Sequence, residues 1–233
     1  MNPAQWCAEA LTEGRVMLFD KPLTWTSFQA VGFLRRHARS ITGNKRIKVG
    51  HAGTLDPLAT GLLIICTGRA TKEINRFMGL EKEYLATLKL GATTASYDGE
   101  KPEDAWFPTH HINRALIDDA LTAFRGEILQ VPPIFSALKV DGKPMYELAR
   151  KGKAPEMVAR PVTIHALEVV SFYGQELVIR VVCSKGTYIR SLAHDIGQAL
   201  QSGAYLSALR RTRIGPFTTD EALGPEQWDE VLS

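Results

Sequence analysis

Hydrophobic positions along this chain repeat with two periods. "RVMLFDKP" (Arg15 to Pro22) is a short apolar run closed by a proline and reads as a strand. Thr26 or Ser27 then caps a helix that places Phe28, Val31 and Leu34 on one face. A basic turn follows at Gly43-Asn44. The unbroken apolar stretch Leu62 to Cys66 predicts a buried strand, and "ATKEINRFM" predicts a helix after it. In "KEYLATLKLG" the period becomes two, which sets Tyr84, Ala86, Leu88 and Leu90 on one face of a strand. "NRALIDDALTAF" returns to the helical period. "RPVTIHALEVVSFY" and "ELVIRVVCSKG" are two strands joined by a turn at Gly174. Thr187 is expected to cap a helix with Ile189, Leu192, Ala193 and Ile196 facing inward. Between these elements, Pro132 to Pro155 carries Pro132-Pro133, Gly142 and a basic excess, and reads as an inserted loop with a short helix near Met145 to Arg150. Strands and helices mix without a regular βαβ alternation. The predicted class is α+β with a mixed, mostly antiparallel central sheet and flanking helices.

Composition narrows this picture. The 233 residues, 45% of them hydrophobic, are enough for a substantial core. No apolar run reaches membrane-spanning length, and the first 15 residues lack the basic and apolar stretches of a signal peptide. Cys7, Cys66 and Cys183 are far apart and suggest neither a disulfide framework nor a zinc site, so a cytoplasmic protein is expected. Charge is segregated although the net is only +3. Leu34 to Lys48 holds six Lys/Arg and no acid, and Ile196 to Thr219 holds three Arg and no acid. Asp98 to Asp119 carries six acids against two bases, and Asp220 to Ser233 carries five acids and no base. The basic stretches are either ordinary solvated surface or a face for a polyanion, where neutralising phosphates releases counterions.

Four stretches carry candidate chemistry. In "KVGHAGTLDPLATGLL" a single carboxylate, Asp56, stands before Pro57, which drives its backbone toward extended geometry. Gly50, Gly53 and Gly61 permit tight turns and close approach of another chain. By spacing alone Asp56 either satisfies loop amides or is presented for catalysis. His51 and Asp56 have no third ligand nearby, so the stretch does not read as a metal site. In "CSKGTYIRSLAHDIG", Lys185 and Arg190 bracket a strand-to-helix turn, and Arg190 suits a carboxylate or phosphate, or else a structural ion pair. Tyr84 is either a core aromatic or a base-stacking platform. In "LRRTRIG" three arginines within four positions favour phosphate contacts over core, with a solvated face as the other reading.

Taken in order, "DKP" with Thr26-Ser27, "GHAGTLDPLATGLL", "KEY", "GATTASYDG", "PPIFSALKVDGKPMYELAR", "CSKGTYIRSLAHDIG" and "LRRTRIG" resemble the bacterial tRNA pseudouridine-55 synthases of the TruB type, over about Arg15 to Ala222. The resemblance implies an isomerase that converts one uridine in the T-loop of tRNA to pseudouridine without cofactor or metal. It implies that Asp56 is the essential acid, either attacking C1′ or abstracting the C2′ proton. Arg190 corresponds to the arginine that pairs with that aspartate. Tyr84 corresponds to the tyrosine that stacks on the target base, and His51 to the histidine that helps extrude it. Leu209 corresponds to the apolar lining of the base pocket, while Lys21, Tyr188 and Asp98 correspond to further active-site positions. The segment 130–156 corresponds to an RNA-clamping thumb inside a single catalytic domain, 1–233. A monomer is expected, with the tRNA T-arm as partner. Many members of the family continue into a β-rich RNA-binding domain of the PUA type, and this chain is expected to lack it, with Arg35 to Lys48 compensating. Two other readings remain: an RNA-binding protein that keeps the scaffold without catalysis, which has no need of Asp56, and a glycosidase. The latter requires a second carboxylate to activate water, for which Asp98 is the candidate.

Overall fold

The computed structural model describes residues 6–135, 139–140, 143–144 and 157–232. The first half contains helix α1 (Ala8–Glu13), strand β1 (Val16–Lys21), helix α2 (Ser27–Thr42), β2 (Val49–His51) and β3 (Ala59–Thr67). A 3-10 segment, Gly68–Glu73, runs into α3 (Ile74–Gly79), followed by β4 (Lys82–Leu90), β5 (Ala92–Thr94), β6 (Glu103–Trp106) and α4 (Arg114–Thr122). The second half contains β7 (Gly126–Gln130), β8 (Lys139–Val140), β9 (Lys143–Pro144), β10 (Arg160–Tyr173) and β11 (Glu176–Cys183). It ends with α5 (Ile189–Ala199), β12 (Ala204–Ile214), β13 (Phe217–Thr218) and α6 (Pro225–Leu232). The fold is α+β with mostly antiparallel sheet, as the two hydrophobic periods predict. The expected helix at Met145 to Arg150 lies outside the described residues. Two compact units divide the chain: Met1–Tyr84 with Arg210–Ser233, and Leu85–Leu209. The chain passes from one to the other inside β4 and returns inside β12.

The first unit is built around β3, which is buried along nearly its whole length. Alternation sends Leu63 and Ile65 into one apolar cluster, with Met17, Phe19, Val31 and Leu34, while Leu62, Ile64 and Cys66 enter another with Ala52, Phe77 and Ile214. A strand covered on both faces has no polar alternation, which is why Leu62 to Cys66 reads as a continuous run. Antiparallel pairing with β1 sets Phe19 opposite Leu63 and Lys21 opposite Gly61. Helix α2 starts with a capping box: the Thr26 hydroxyl accepts from the Gln29 amide at 3.1 Å, and the Gln29 side chain accepts from the Thr26 amide at 2.7 Å. Its buried face is Ala30, Val31, Phe33, Leu34 and Ala38. Phe28 departs from the expected inward face: it is 69% exposed, with the Arg35 guanidinium over its ring at 5.7 Å. The acidic tail is also more than surface charge, since α6 buries Trp228 and Leu232. Trp228 packs edge-on against Trp6 and donates its indole N–H to the Leu18 carbonyl.

In the second unit β4 continues the alternation read from the sequence, with Ala86, Leu88 and Leu90 fully buried. β10 and β11 form a hairpin whose turn holds Gly174 at φ +59°, a left-handed geometry that favours glycine. β7 pairs with the start of β10. Helix α5 buries Ile189, Leu192, Ala193 and Ile196, as its period requires. Its cap differs from expectation: Tyr188 is the N-cap residue, and the Thr187 hydroxyl instead donates to the Ser184 carbonyl.

Candidate active site

In the first unit, Asp56 sits half-buried on the loop between β2 and β3, and that loop is tied down at nearly every residue. Ala52 donates to the Ile64 carbonyl at 2.9 Å. Buried Ser27, at the start of α2, grips Leu55 twice: its hydroxyl accepts from the Leu55 amide at 2.8 Å and donates to the Leu55 carbonyl at 3.0 Å. The Asp56 carbonyl accepts from Ala59 N–H at 3.0 Å, and the Pro57 carbonyl accepts from Thr24 N–H at 2.8 Å. Thr24 holds φ +69° to do so, a conformation that costs a threonine energy and persists because its surroundings enforce it. Gly53 and Gly61 both lie at φ +103°. At Gly61 a side chain is excluded as well, because a Cβ would stand 2.3 Å from the Arg211 carbonyl oxygen of β12.

Two buried cations serve this loop. Lys21 has no exposed surface, and its ammonium donates to the carbonyls of Pro22 at 2.9 Å and Trp25 at 2.7 Å. Desolvation lowers its pKa to about 8, the Asp56 charge opposes that fall, and the Arg211 charge adds to it. Arg211 is 2% exposed; its guanidinium donates to Leu62 at 2.8 Å, Gly53 at 3.2 Å and Thr54 at 3.4 Å, all backbone carbonyls. His51 ends β2 with its Nδ1 buried and without a hydrogen-bond partner. Burial, then the Arg211 charge, pushes its pKa down, and the Gly53 backbone partly offsets this, so the ring is neutral at pH 7. Tyr84 is buried on the inward face of β4.

In the second unit, Arg190 is the second residue of α5 and is 6% exposed. One terminal nitrogen stands 3.6 Å from an Asp98 carboxylate oxygen and 3.4 Å from the Ser96 carbonyl, and the other donates to the Phe135 carbonyl at 3.0 Å. Asp98 is itself held by the Ser96 hydroxyl at 2.6 Å and the Glu100 amide at 3.0 Å. Asp98 is therefore an ion-pair partner for Arg190 in a buried pocket of hydrogen bonds. Tyr188 is locked by a reciprocal pair of bonds with Gln130, whose side chain accepts from the Tyr188 amide at 2.8 Å and donates to its carbonyl at 3.1 Å. Leu209, half-buried on β12, ends this unit. The sequence-predicted residues thus divide into Lys21, His51, Asp56 and Tyr84 in one unit and Asp98, Tyr188, Arg190 and Leu209 in the other.

The arginines of "LRRTRIG" differ from the phosphate contacts expected of them. Arg210 forms a forked pair with Asp20 at 3.0 and 2.7 Å, and Arg213 pairs with Glu81 at 2.8 Å. Arg211 is buried, and nothing in an exposed-looking basic run signals that its middle member turns inward. Among the described residues no group of three or more His, Cys, Asp or Glu could hold a metal ion, and no helix is long and apolar enough to cross a membrane.

Residues 39–189 match the family of TruB pseudouridylate synthases (N-terminal domain), and residues 190–229 match the tRNA pseudouridylate synthase B C-terminal domain. The same fold occurs in a solved Cbf5-Nop10-Gar1 complex, with a TM-score of 0.70 and 31% identity over 95% of this chain and 55% of that one. It occurs also in an H/ACA RNP bound to a substrate RNA containing 2′-deoxyuridine, with a TM-score of 0.67 and 28% identity over 96% and 55% of the two chains. Fold and profile together define a pseudouridine synthase, an isomerase. At 56% identity the chain matches the tRNA pseudouridine synthase B of Phocaeicola vulgatus over 94% of both sequences. The protein belongs to the TruB family.

Proposed function

We propose that this protein converts uridine to pseudouridine at position 55 in the T-loop of tRNA, with Asp56 as its catalytic carboxylate. The observation that carries the reading is a single carboxylate on a loop immobilised by Ser27, Thr24 and Arg211, in a chain that is similar over 94% of its length to a tRNA pseudouridine synthase B. The target base leaves its stack before reaction. The N1–C1′ bond then breaks, the base rotates, C5 bonds to C1′, the C5 proton leaves to solvent and N1 takes up a proton. Asp56 acts in its ionised form, whether at C1′ or at the C2′ proton. Arg190 orients the carboxylate, Tyr84 stacks on the base, His51 props the T-loop open, and Leu209 and Tyr188 line the base pocket. Lys21 and Asp98, both buried, are further active-site residues. The reaction uses no cofactor or metal. The protein works as a cytoplasmic monomer with a single catalytic domain. Its thumb, 130–156, lies mostly outside the described residues.

RNA docks in part on a basic cleft of about 390 Å³ in the first unit, lined by Arg35, Arg46, Lys48, Gly50, Thr71 and Ile74. Arg35 donates to the Val49 carbonyl at 2.9 Å and is partly structural, so exposed Arg46 and Lys48 are the better probes. Replacing both with Ala is expected to weaken T-arm binding and flatten its salt dependence, and an unchanged salt slope removes the cleft from the interface. The test of the reaction is tritium release from C5-labelled uridine in a T-arm transcript. Wild type should release tritium stoichiometrically; Asp56→Asn should bind the transcript and release none. Equal release from both proteins would exclude Asp56 from the mechanism.

A further inference from the structure

Arg211 belongs to neither the phosphate-binding surface that its sequence context suggests nor the residues matched to the reaction. Its three bonded donors reach three carbonyls, and two of these, Gly53 and Thr54, lie two or three residues before Asp56. The third, Leu62, is in the middle of β3, the most deeply buried strand of the unit. The guanidinium therefore pins the Asp56 loop to the rigid centre of the sheet. Its own backbone is fixed against Gly61, where β12 approaches β3 too closely for any side chain. Gly53 adopts φ +103° at the gripped carbonyl, a conformation the loop would not hold by local preference. A planar fork with fixed donor directions sets carbonyl positions in a way that a flexible ammonium does not.

We propose that Arg211 is a positioning residue for the uridine isomerisation: it holds the Gly53 to Asp56 loop in its reactive shape through these carbonyls and makes no contact with RNA. The proposal rests on the reading of Asp56 as the reacting acid. Displacement of a reacting group by about 1 Å can cost about 100-fold in rate. Arg211→Gln is therefore expected to lower the single-turnover rate at saturating T-arm transcript by at least about 100-fold, with the dissociation constant within about threefold of wild type. Arg211→Lys keeps the charge and loses the fork, and its rate should stay at least about tenfold below wild type. Amide exchange at Thr54 and Leu55 should accelerate in both variants while exchange in β3 stays slow.

The exchange measurement needs no activity. If wild type fails to isomerise the transcript, the reading of the reaction falls, and loop exchange alone then judges the grip of Arg211. A wild-type single-turnover rate in Arg211→Gln overturns the proposal. So does weakened, less salt-dependent binding with an unchanged saturated rate, which would make Arg211 a phosphate contact. Full recovery by Arg211→Lys overturns it in favour of charge alone. Loss of cooperative folding in both variants overturns it by assigning Arg211 to the core.

Discussion

Arg211 and Arg190 are the same residue type, each almost removed from water, yet their surroundings treat the charge in opposite ways. In the bonds described within its own unit, Arg190 faces a carboxylate, Asp98, and two carbonyls. Arg211 donates to three carbonyls, whose dipoles orient the cation without cancelling its charge. Lys21, another buried cation of that unit, also donates to carbonyls in the bonds described. The comparison separates two settings of a buried cation: beside a carboxylate that ties a helix to a loop, and among carbonyls beneath a loop that must present an acid.

The strongest way to break this comparison is to remove one member of the Arg190–Asp98 pair. Arg190→Met leaves Asp98 buried with its hydrogen bonds but without its cation, and is expected to cost about 3–5 kcal/mol in urea unfolding. Adding Asp98→Asn should recover part of that loss; strictly additive costs would show that the two do not interact. Gly61→Ala comes next. Its Cβ collides with the Arg211 backbone at a φ that disfavours alanine, so a loss well above about 1 kcal/mol is expected, and Gly32→Ala, where the space is open, should not share it.

The pH dependence of Lys21 sharpens the other half. Its folded pKa lies near 8, below its ordinary 10.5, so the unfolded chain binds more protons between those values. Stability contributed by this group therefore rises with pH across that window, and the wild-type advantage over Lys21→Met should grow from pH 8 to 10. Turnover should move oppositely and decline above about pH 8, as the cation beside Asp56 is lost. A parallel fall of both quantities in this difference would show that the Lys21 charge supports the fold rather than the site. The smallest effect concerns Asp195 on α5, where burial raises the carboxyl to about 6. Its stabilising contribution is present below its ordinary value of 3.8 and is lost as pH rises through 6. Asp195→Asn should accordingly raise the melting temperature at pH 7.5 and lose that gain near pH 4.

Much of the fold was legible. Period two in β4 and the unbroken run in β3 reflect faces that water cannot reach, and the Thr26 cap announces α2 because its hydroxyl and Gln29 satisfy amides that the helix leaves open. Phe28 was misplaced because helical spacing allows two flanks, and only packing against β1 and β3 selects Phe33 over Phe28. Helix α6 was hidden because its acids dominate a short segment whose burial rests on Trp228 and Leu232.

The sequence by itself determined the chemistry-bearing residues, the family and the glycine-rich presentation of Asp56, since these depend on residue type, order and local backbone preference. Only the tertiary structure decided which cations serve that loop. Arg210, Arg211 and Arg213 are alike in sequence, but Asp20, the carbonyls of Gly53, Thr54 and Leu62, and Glu81 give them three different environments. A buried charge is defined by partners some 150 residues away along the chain, and such partners become neighbours only once the sheet has closed.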